Sequence, residues 1–239
     1  MAYFNNRDEY AVVNGTTDGD TIYNSTGADH ATVYGGEGND YINSGSSKSL
    51  FDGGDGDDII ANESDGEQVT LLGGAGNDTI HSSGIKASID AGDGDDYVKN
   101  YDTAVNSTVD SGKGNDYINN WSSKSVLNGS DGDDIVTNNA DGEQVTLFGG
   151  AGNDTIHSSG VNASIDAGDG DDYVKNYDTA VNSTVDSGKG NDYINNWSSK
   201  SVLNGSDGDD IVTNNADGEQ VTLFGGAGND TIHSSGVNA

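Results

Sequence analysis

The chain has no cysteine, no proline, little positive charge and little apolar content. Its 239 residues include nine Lys and Arg against 41 Asp and Glu, and only 31% are hydrophobic. The absence of cysteine excludes disulfides and thiolate metal sites, and it is compatible with an extracellular location. The net charge of −32 makes nucleic acid an unfavourable partner, because an acidic field repels phosphate.

Long hydrophobic runs are also absent. Residues 1–14 contain no apolar h-region, so we expect no ordinary signal peptide there, and no segment of the chain is apolar enough to span a membrane. So little apolar surface, combined with so much charge of one sign, places a metal-free chain close to the disordered class. There is no nucleophile–base constellation, nucleotide-binding loop or zinc-protease motif, so we predict no enzyme activity. Carboxylate pairs such as Asp95 and Asp96 recur in repeat after repeat, which indicates a structural series rather than one acid–base site.

What the sequence does contain is long, nearly perfect repetition. The dodecamer GGAGNDTIHSSG begins at Gly73, Gly149 and Gly225, always 76 residues apart. Residues 73–148 and 149–224 differ at only two positions, and the chain stops fifteen residues into a further copy. A fixed period of this kind predicts a repeat architecture, and the array is expected to be truncated at its C-terminal end.

Each 76-residue unit is itself composite. The aspartate that ends each glycine-rich turn recurs at steps that alternate between 18 and 20 residues, and Asp20 in a degenerate turn continues the series backwards, giving twelve units. Both steps are even, so every later side chain keeps its face of a strand. We predict an all-β fold, a right-handed parallel β-roll or β-solenoid of about 12 coils with two short strands per coil. Residues 1–14 are predicted to be an N-terminal cap or lead-in, and residues 15–239 a single array.

The strand positions follow from this alternation. Ile80, two places after Asp78, belongs to one inward-facing column, and Ile89 belongs to another on the second strand. The position four places after each aspartate is always Asn or Ser, as at Asn100 and Ser82, and by parity it also faces inward. Stacked Asn side chains can hydrogen-bond along a column, so we predict an internal Asn/Ser ladder. The two extra residues of the longer units are predicted to lie in the turn opposite the glycines.

The turns GGAGNDTI, AGDGDDYV, SGKGNDYI and GSDGDDIV match the nonapeptide GGxGxDxUx, the calcium-binding signature of parallel β-rolls. Eleven turns carry Gly at the fourth position and Asp at the sixth, and in this the chain resembles the RTX (haemolysin-type calcium-binding repeat) family over about residues 15–239. Calcium prefers six to eight carboxylate and carbonyl oxygens, and stacking at about 4.8 Å per coil brings the next turn's Asp alongside. The predicted metal-binding residues are Asp40, Asp58, Asp78, Asp96, Asp116, Asp134, Asp154, Asp172, Asp192, Asp210 and Asp230, with Gly38, Gly56, Gly76, Gly94, Gly114, Gly132, Gly152, Gly170, Gly190, Gly208 and Gly228.

The chain departs from the commonest family pattern because the second half of each coil lacks GxGxD. This implies a single row of calcium ions along one edge, about ten in number since eleven turns have ten intervals. The pattern resembles the calcium-stabilised solenoid segments of bacterial RTX adhesins. The resemblance implies a secreted or cell-surface, monomeric module that folds on binding calcium and serves as a spacer, an adhesin segment or a secretion-assisting repeat.

Other interpretations of the chain remain to be weighed. No window fits an EF-hand loop, and His81, His157 and His233 lie four coils apart, too far to share one metal. Tyr101 and Trp121, repeated as Tyr177 and Trp197, could form an aromatic patch that binds a glycan or a protein partner. The chain could also be the repeat tail of a larger secreted enzyme or toxin. Ice binding is not expected, because the third turn position carries mixed residue types.

Overall fold

The computed structural model describes residues 1–63, 66–139, 143–216 and 220–235, and all regular structure in these ranges is β-strand. The chain divides into two compact units, Met1–Ile118 and Asn119–Ala239. Within each unit, alternate strands along the chain join two parallel sheets, so each coil contributes one strand to each sheet. This is the predicted parallel β-solenoid. In the described ranges there is no helix with the length and apolarity needed to cross a membrane.

In the first unit, the sheet nearer the start of each coil has strands of four residues: β1 (Tyr3–Asn6), β3 (Thr21–Asn24), β5 (Tyr41–Ser44), β7 (Ile59–Asn62), β9 (Thr79–Ser82) and β11 (Tyr97–Asn100). The other sheet leads into the glycine-rich turns: β2 (Val12–Asn14), β4 (Thr32–Glu37), β6 (Leu50–Asp55), β8 (Thr70–Ala75), β10 (Ser88–Asp93) and β12 (Thr108–Lys113). The strand β13 (Tyr117–Asn120) falls at the division between the units.

The second unit repeats this arrangement. Its strands after the glycine-rich turns are β15 (Ile135–Asn138), β17 (Thr155–Ser158), β19 (Tyr173–Asn176), β21 (Tyr193–Asn196), β23 (Ile211–Asn214) and β25 (Thr231–Ser234). Its strands before those turns are β14 (Val126–Asp131), β16 (Thr146–Ala151), β18 (Ser164–Asp169), β20 (Thr184–Asp186), β22 (Val202–Asp207) and β24 (Thr222–Ala227).

The core is built from columns of identical or similar side chains. Ile80 pairs with Ile60 on one side and Val98 on the other, and all three are buried. On the second sheet Ile89 pairs with Leu71 and Val109 in the same way. The strictly even repeat keeps these residues on the inner face, as the sequence predicts.

The difference between the 18- and 20-residue coils lies opposite the glycine-rich turns. Residues 83–87 connect β9 to β10, whereas the longer stretch 101–107 connects β11 to β12. The connections on the glycine side do not vary in this way, since residues 94–96 and residues 114–116 both link successive strands. The prediction that the additional two residues lie on the far edge is therefore confirmed.

The internal Asn/Ser ladder is also confirmed. Asn176 donates from Nδ2 to Asn196 Oδ1 at 2.9 Å, and Asn196 donates in turn to Asn214 Oδ1 at 2.8 Å. The Ser198 hydroxyl donates to Asn196 Oδ1 at 2.9 Å, so serines outside the column extend the network. All four residues are buried, and these hydrogen bonds satisfy the side chain of Asn196 in the interior.

The predicted lead-in already has the geometry of a coil. β1 pairs in parallel with β3, and β2 pairs with β4, with Phe4 beside Ile22 and Val13 beside Val33. Residues 1–14 therefore continue both sheets of the first unit.

Candidate metal centre

The glycine-rich turns bring stacked backbones into close approach. Residues 152–154 connect β16 to β17, and both Gly150 and Gly152 have positive φ, 125° and 132°. A Cβ at Gly152 would collide with the carbonyl oxygen of Gly132 in the preceding turn. The fourth-position glycines share the positive φ, so glycine is required there for conformation as well as for space.

The aspartate at the sixth turn position is directed into the interior in every complete turn up to Asp210. Each of these residues is at most 3% exposed: Asp40, Asp58, Asp78, Asp96, Asp116, Asp134, Asp154, Asp172, Asp192 and Asp210. Asp230, in the last turn, is half-buried. The single row of calcium ions along one edge stays a prediction.

One carboxylate oxygen of each aspartate is used to hold the neighbouring turn. The backbone N–H of Asp154 donates to Asp172 Oδ1 at 2.7 Å, and that of Asp172 donates to Asp192 Oδ1 at 2.8 Å. The same bond joins Asp58 to Asp78 at 2.8 Å in the first unit. Each aspartate therefore accepts from the amide of the aspartate one coil earlier.

The second carboxylate oxygen is buried and has no hydrogen-bond partner in many of these turns. This holds for Oδ2 of Asp40, Asp58, Asp78, Asp96, Asp154, Asp172 and Asp210. A buried, unpaired carboxylate oxygen is costly because its hydration is lost without replacement. The feature recurs at the same atom in turn after turn, which indicates a site that some other group completes.

Carbonyl oxygens converge on the same place. A Cβ added at Gly53, the first residue of its turn, would collide with Asp58 Oδ2 and would lie 2.6 Å from the carbonyl oxygen of Gly73 in the next turn. The space beside the Gly53 Cα is therefore lined by a carboxylate oxygen and a backbone carbonyl oxygen. These are the two kinds of oxygen that Ca²⁺ prefers.

Burial shifts the titration of these carboxyls strongly. Loss of hydration raises their pKa, partly opposed by the hydrogen bond from the preceding aspartate's amide and reinforced by neighbouring carboxylates. The pKa reaches about 7 for Asp58, Asp78, Asp154 and Asp172, and about 6 for Asp96 and Asp192. A carboxylate of this kind is stabilised either by a proton or by a bound cation.

The degenerate first turn provides a contrast. Burial alone would raise the pKa of Asp20, but hydrogen bonds lower it below the usual value. The Ala2 amide donates to its Oδ1, and the Thr16 amide and hydroxyl donate to its Oδ2 at 2.7 and 2.9 Å. Asp20 is thus satisfied by protein donors, whereas Oδ2 of aspartates such as Asp58, Asp78 and Asp154 has no hydrogen-bond partner.

A second ladder, which sequence reasoning missed, runs along the outside of the turns at their fifth position. The Asn77 side chain accepts from the Asp95 amide at 2.9 Å, and the Asp95 carboxylate accepts from the Asn115 amide at 2.8 Å. Here each side chain reaches forward to the following coil, opposite in direction to the inner aspartate ladder. The strict alternation of Asn and Asp at this position was visible in the sequence and keeps like charges from occupying adjacent coils.

Carboxylates alone do not form a metal site here. Over the described ranges, no three or more His, Cys, Asp or Glu side chains come together to hold a metal ion. The donor set that fits a cation instead combines the sixth-position carboxylate with carbonyl oxygens of stacked glycine turns. The predicted fourth-position glycines lie within this stack, since the Gly170 Cα faces the Gly152 carbonyl.

The fold and these turns define a class: a parallel β-solenoid with a row of buried carboxylates and carbonyls at one edge. A protein-family model, described as the RTX calcium-binding nonapeptide repeat (4 copies), matches this chain in five stretches: residues 14–48, 34–65, 69–84, 144–163 and 220–238. The chain thus carries repeats of the RTX calcium-binding family, and it is a calcium-binding structural repeat. Comparison with curated proteins found no match, and neither did comparison with solved structures.

Proposed function

We propose that the chain is a calcium-binding structural module of a secreted or cell-surface bacterial RTX-like protein, which folds when calcium binds. The observation that carries this proposal is the unpaired Oδ2 that recurs in Asp58, Asp154 and Asp210, each beside a carbonyl oxygen of the neighbouring turn. The predicted aspartates and fourth-position glycines would hold the ions. The location and the role as a spacer, adhesin segment or secretion-assisting repeat rest on the family resemblance.

Charge supports the coupling of calcium to folding. About ten ions in a single row would add about +20 to a chain whose net charge is −32. Without them, ionisation of buried carboxyls such as Asp154 and Asp172 at neutral pH is opposed by burial and by neighbouring carboxylates, which raise their pKa to about 7. Ions that bind only the folded chain shift the equilibrium by mass action, so metal binding and folding are one process.

Circular dichroism with small-angle scattering, in chelator, calcium or magnesium at neutral pH, tests the proposal. We expect an expanded, disordered chain in chelator and a cooperative change to compact β-structure with millimolar calcium. Magnesium should substitute poorly, because it prefers a tighter octahedral shell and retains its water. Calorimetric saturation near about ten ions per chain is expected. A compact β-rich chain in excess chelator at neutral pH, or saturation at two or three ions, would contradict the proposal.

A second candidate function is binding of a neutral saccharide. Lys175, Tyr177, Asp178 and Trp197 line one surface cavity of about 240 Å³, and Trp197 is 48% exposed. Lys175 Nζ already lies 4.5 Å from the centre of the Tyr177 ring, which leaves no room there for a cationic guest. The open indole face can pack against sugar C–H groups, with the ammonium and carboxylate for hydroxyls.

Glycan-array binding tests this candidate. Because Lys99, Tyr101, Asp102 and Trp121 repeat the same residue types, the double variant Trp121→Ala with Trp197→Ala should abolish binding if a saccharide site exists. The matched control is Tyr193→Ala, which removes an exposed aromatic residue that is not part of this cavity. No binding by the calcium-loaded native chain would dismiss the candidate.

A further inference from the structure

The first position of the glycine-rich turns is not constant. Following the chain, it is Gly35, Gly53, Gly73, Ala91, Ser111, Gly129, Gly149, Ala167, Ser187, Gly205 and Gly225. Each 76-residue repeat therefore presents glycine, alanine, serine and glycine in that order. In the second compact unit (Asn119–Ala239), the strand registers align Gly149, Ala167, Ser187 and Gly205 in one column.

Glycine at this position leaves a space between two oxygens. A Cβ at Gly149 would collide with Asp154 Oδ2 and with the carbonyl oxygen of Ala167 in the next turn. A Cβ at Gly205 would collide in the same way with Asp210 Oδ2 and the Gly225 carbonyl oxygen. Oδ2 of both aspartates is buried and unpaired, so an unpartnered carboxylate oxygen points into each space. We call this space the cradle.

Alanine puts a methyl group in the equivalent place. Ala167 is aligned with Gly149, is fully buried and belongs to the same turn as Asp172. Its methyl group replaces the hydrogen atom that glycine carries at this position. A cation that approaches Asp172 Oδ2 from this side meets a group that offers no oxygen and takes up volume.

Serine fills the cradle differently. Ser187 is fully buried, and its hydroxyl donates to the Gly205 carbonyl oxygen at 2.8 Å. Gly205 is the first residue of the next turn, so this carbonyl is the counterpart of the one that lines the cradle in the glycine turns. The hydroxyl therefore already binds the oxygen that would otherwise face the cradle.

We propose that the residue at the first turn position grades the calcium sites. Turns that begin with glycine form the tight sites, and turns that begin with Ala167 or Ser187, or their copies Ala91 and Ser111, form weaker ones. This inference rests on the proposed function, because it concerns which turns hold calcium best. The grading recurs in every four coils, so calcium would load the array in two stages.

Substitutions that open the cradle test the proposal. The native chain should titrate with calcium in two phases whose affinities differ by at least about tenfold. Ala167→Gly and Ser187→Gly should each move about one ion per chain from the weak phase to the tight phase, and they should lower the calcium midpoint of folding. The control is Ala163→Gly, which removes a buried methyl group outside the turn and should leave the tight phase unchanged.

The opposite change, Gly149→Ala, should remove about one tight ion. If that variant fails to fold, Ala167→Gly still tests the grading, because it removes a methyl group and introduces no steric clash. The grading would be overturned if calcium bound in a single phase and neither Ala167→Gly nor Ser187→Gly changed the number of tightly bound ions per chain. That result would leave the proposed function intact. No calcium binding by the native chain would instead refute the proposed function itself.

Discussion

At the scale of single residues, the sixth-position aspartate has two separate roles. Its Oδ1 accepts a backbone N–H from the neighbouring turn, as Asp172 does from Asp154 at 2.7 Å. Oδ2 of Asp172 is buried without a hydrogen-bond partner, and burial raises the pKa of this carboxyl to about 7. The first role supports the fold with or without metal, whereas the second is favourable only with a proton or a cation.

Asp172→Asn separates these two roles. The amide oxygen of the new side chain still accepts the hydrogen bond from the Asp154 N–H. The amide nitrogen replaces the charged Oδ2 with a neutral hydrogen-bond donor. At pH 8 in chelator we expect the folded state to gain on the order of 1–2 kcal/mol, because a buried charge is removed. In calcium we expect weaker binding by on the order of tenfold, about 1.4 kcal/mol. The pH midpoint of folding in chelator measures the first effect, because a more stable folded state forms at a higher pH, and calorimetry measures the second.

The control for this prediction is Asp171→Asn, the exposed neighbour in the same turn. It removes the same charge at a position where the adjacent turns already have Asn153 and Asn191. It should change both measurements only slightly, since surface charge is screened. Equal effects of the two variants would mean that overall charge, and not the buried carboxylate, controls calcium binding.

At the scale of the coil, the molecule combines an apolar column with a polar one. Ile194 and Leu203 fill the interior beside the Asn ladder, and all of these residues are buried. Asn196 bonds to Asn176 in the preceding coil and to Asn214 in the following one, so the ladder favours one register of each coil against the next. This register also sets which turns face each other, because a shift along the strand would displace the aspartates as well.

Asn196→Ala should be strongly destabilising. Asn196 accepts from Asn176 and Ser198 and donates to Asn214, so its removal leaves several buried polar groups unsatisfied. We expect a loss of about 2–4 kcal/mol in the free energy of unfolding measured with denaturant in saturating calcium. Asn196→Ser should cost less, because Ser158 and Ser234 occupy the same column in the native chain. If Ala and Ser had equal effects, the ladder would not contribute through its hydrogen bonds.

At the scale of the whole chain, charge governs stability. The net charge of −32 includes buried carboxyls whose pKa is raised to about 6 or 7 in the folded state. A group whose pKa is higher in the folded than in the unfolded state binds more protons when folded. Its contribution to stability is complete below the unfolded value of about 3.9 and is lost as pH rises through the folded value.

Acid should therefore partly replace calcium. In excess chelator, lowering the pH from 8 to about 5 should increase β-structure and compactness, because protons neutralise Asp58, Asp78, Asp154 and Asp172. The transition should be centred near the raised pKa values and should disappear in saturating calcium. Circular dichroism and scattering across this pH range provide the measurement. A chain that remains expanded from pH 8 to 5 would contradict the coupling between buried carboxyls and folding.

Much of this architecture was predictable from the sequence because the repeat is long, even in step and almost without errors. Alternation with period two predicted that Ile80, Ile89 and Asn100 lie inside, and all three are buried. The turn signature likewise pointed to calcium. These features depend on position along a strand, which sequence spacing determines directly.

Contacts between atoms of neighbouring coils were decided only by the tertiary structure. The sequence did not predict that Asp172 Oδ1 binds an amide while Oδ2 stays unpaired, or that Thr16 satisfies Asp20. Nor did it predict that the Ser187 hydroxyl would meet the Gly205 carbonyl. Such contacts depend on distances of a few ångströms across the stack, which follow from backbone angles and coil spacing. A residue's place in the repeat determines the face on which it lies, but the packing of the next coil determines what its polar atoms bind.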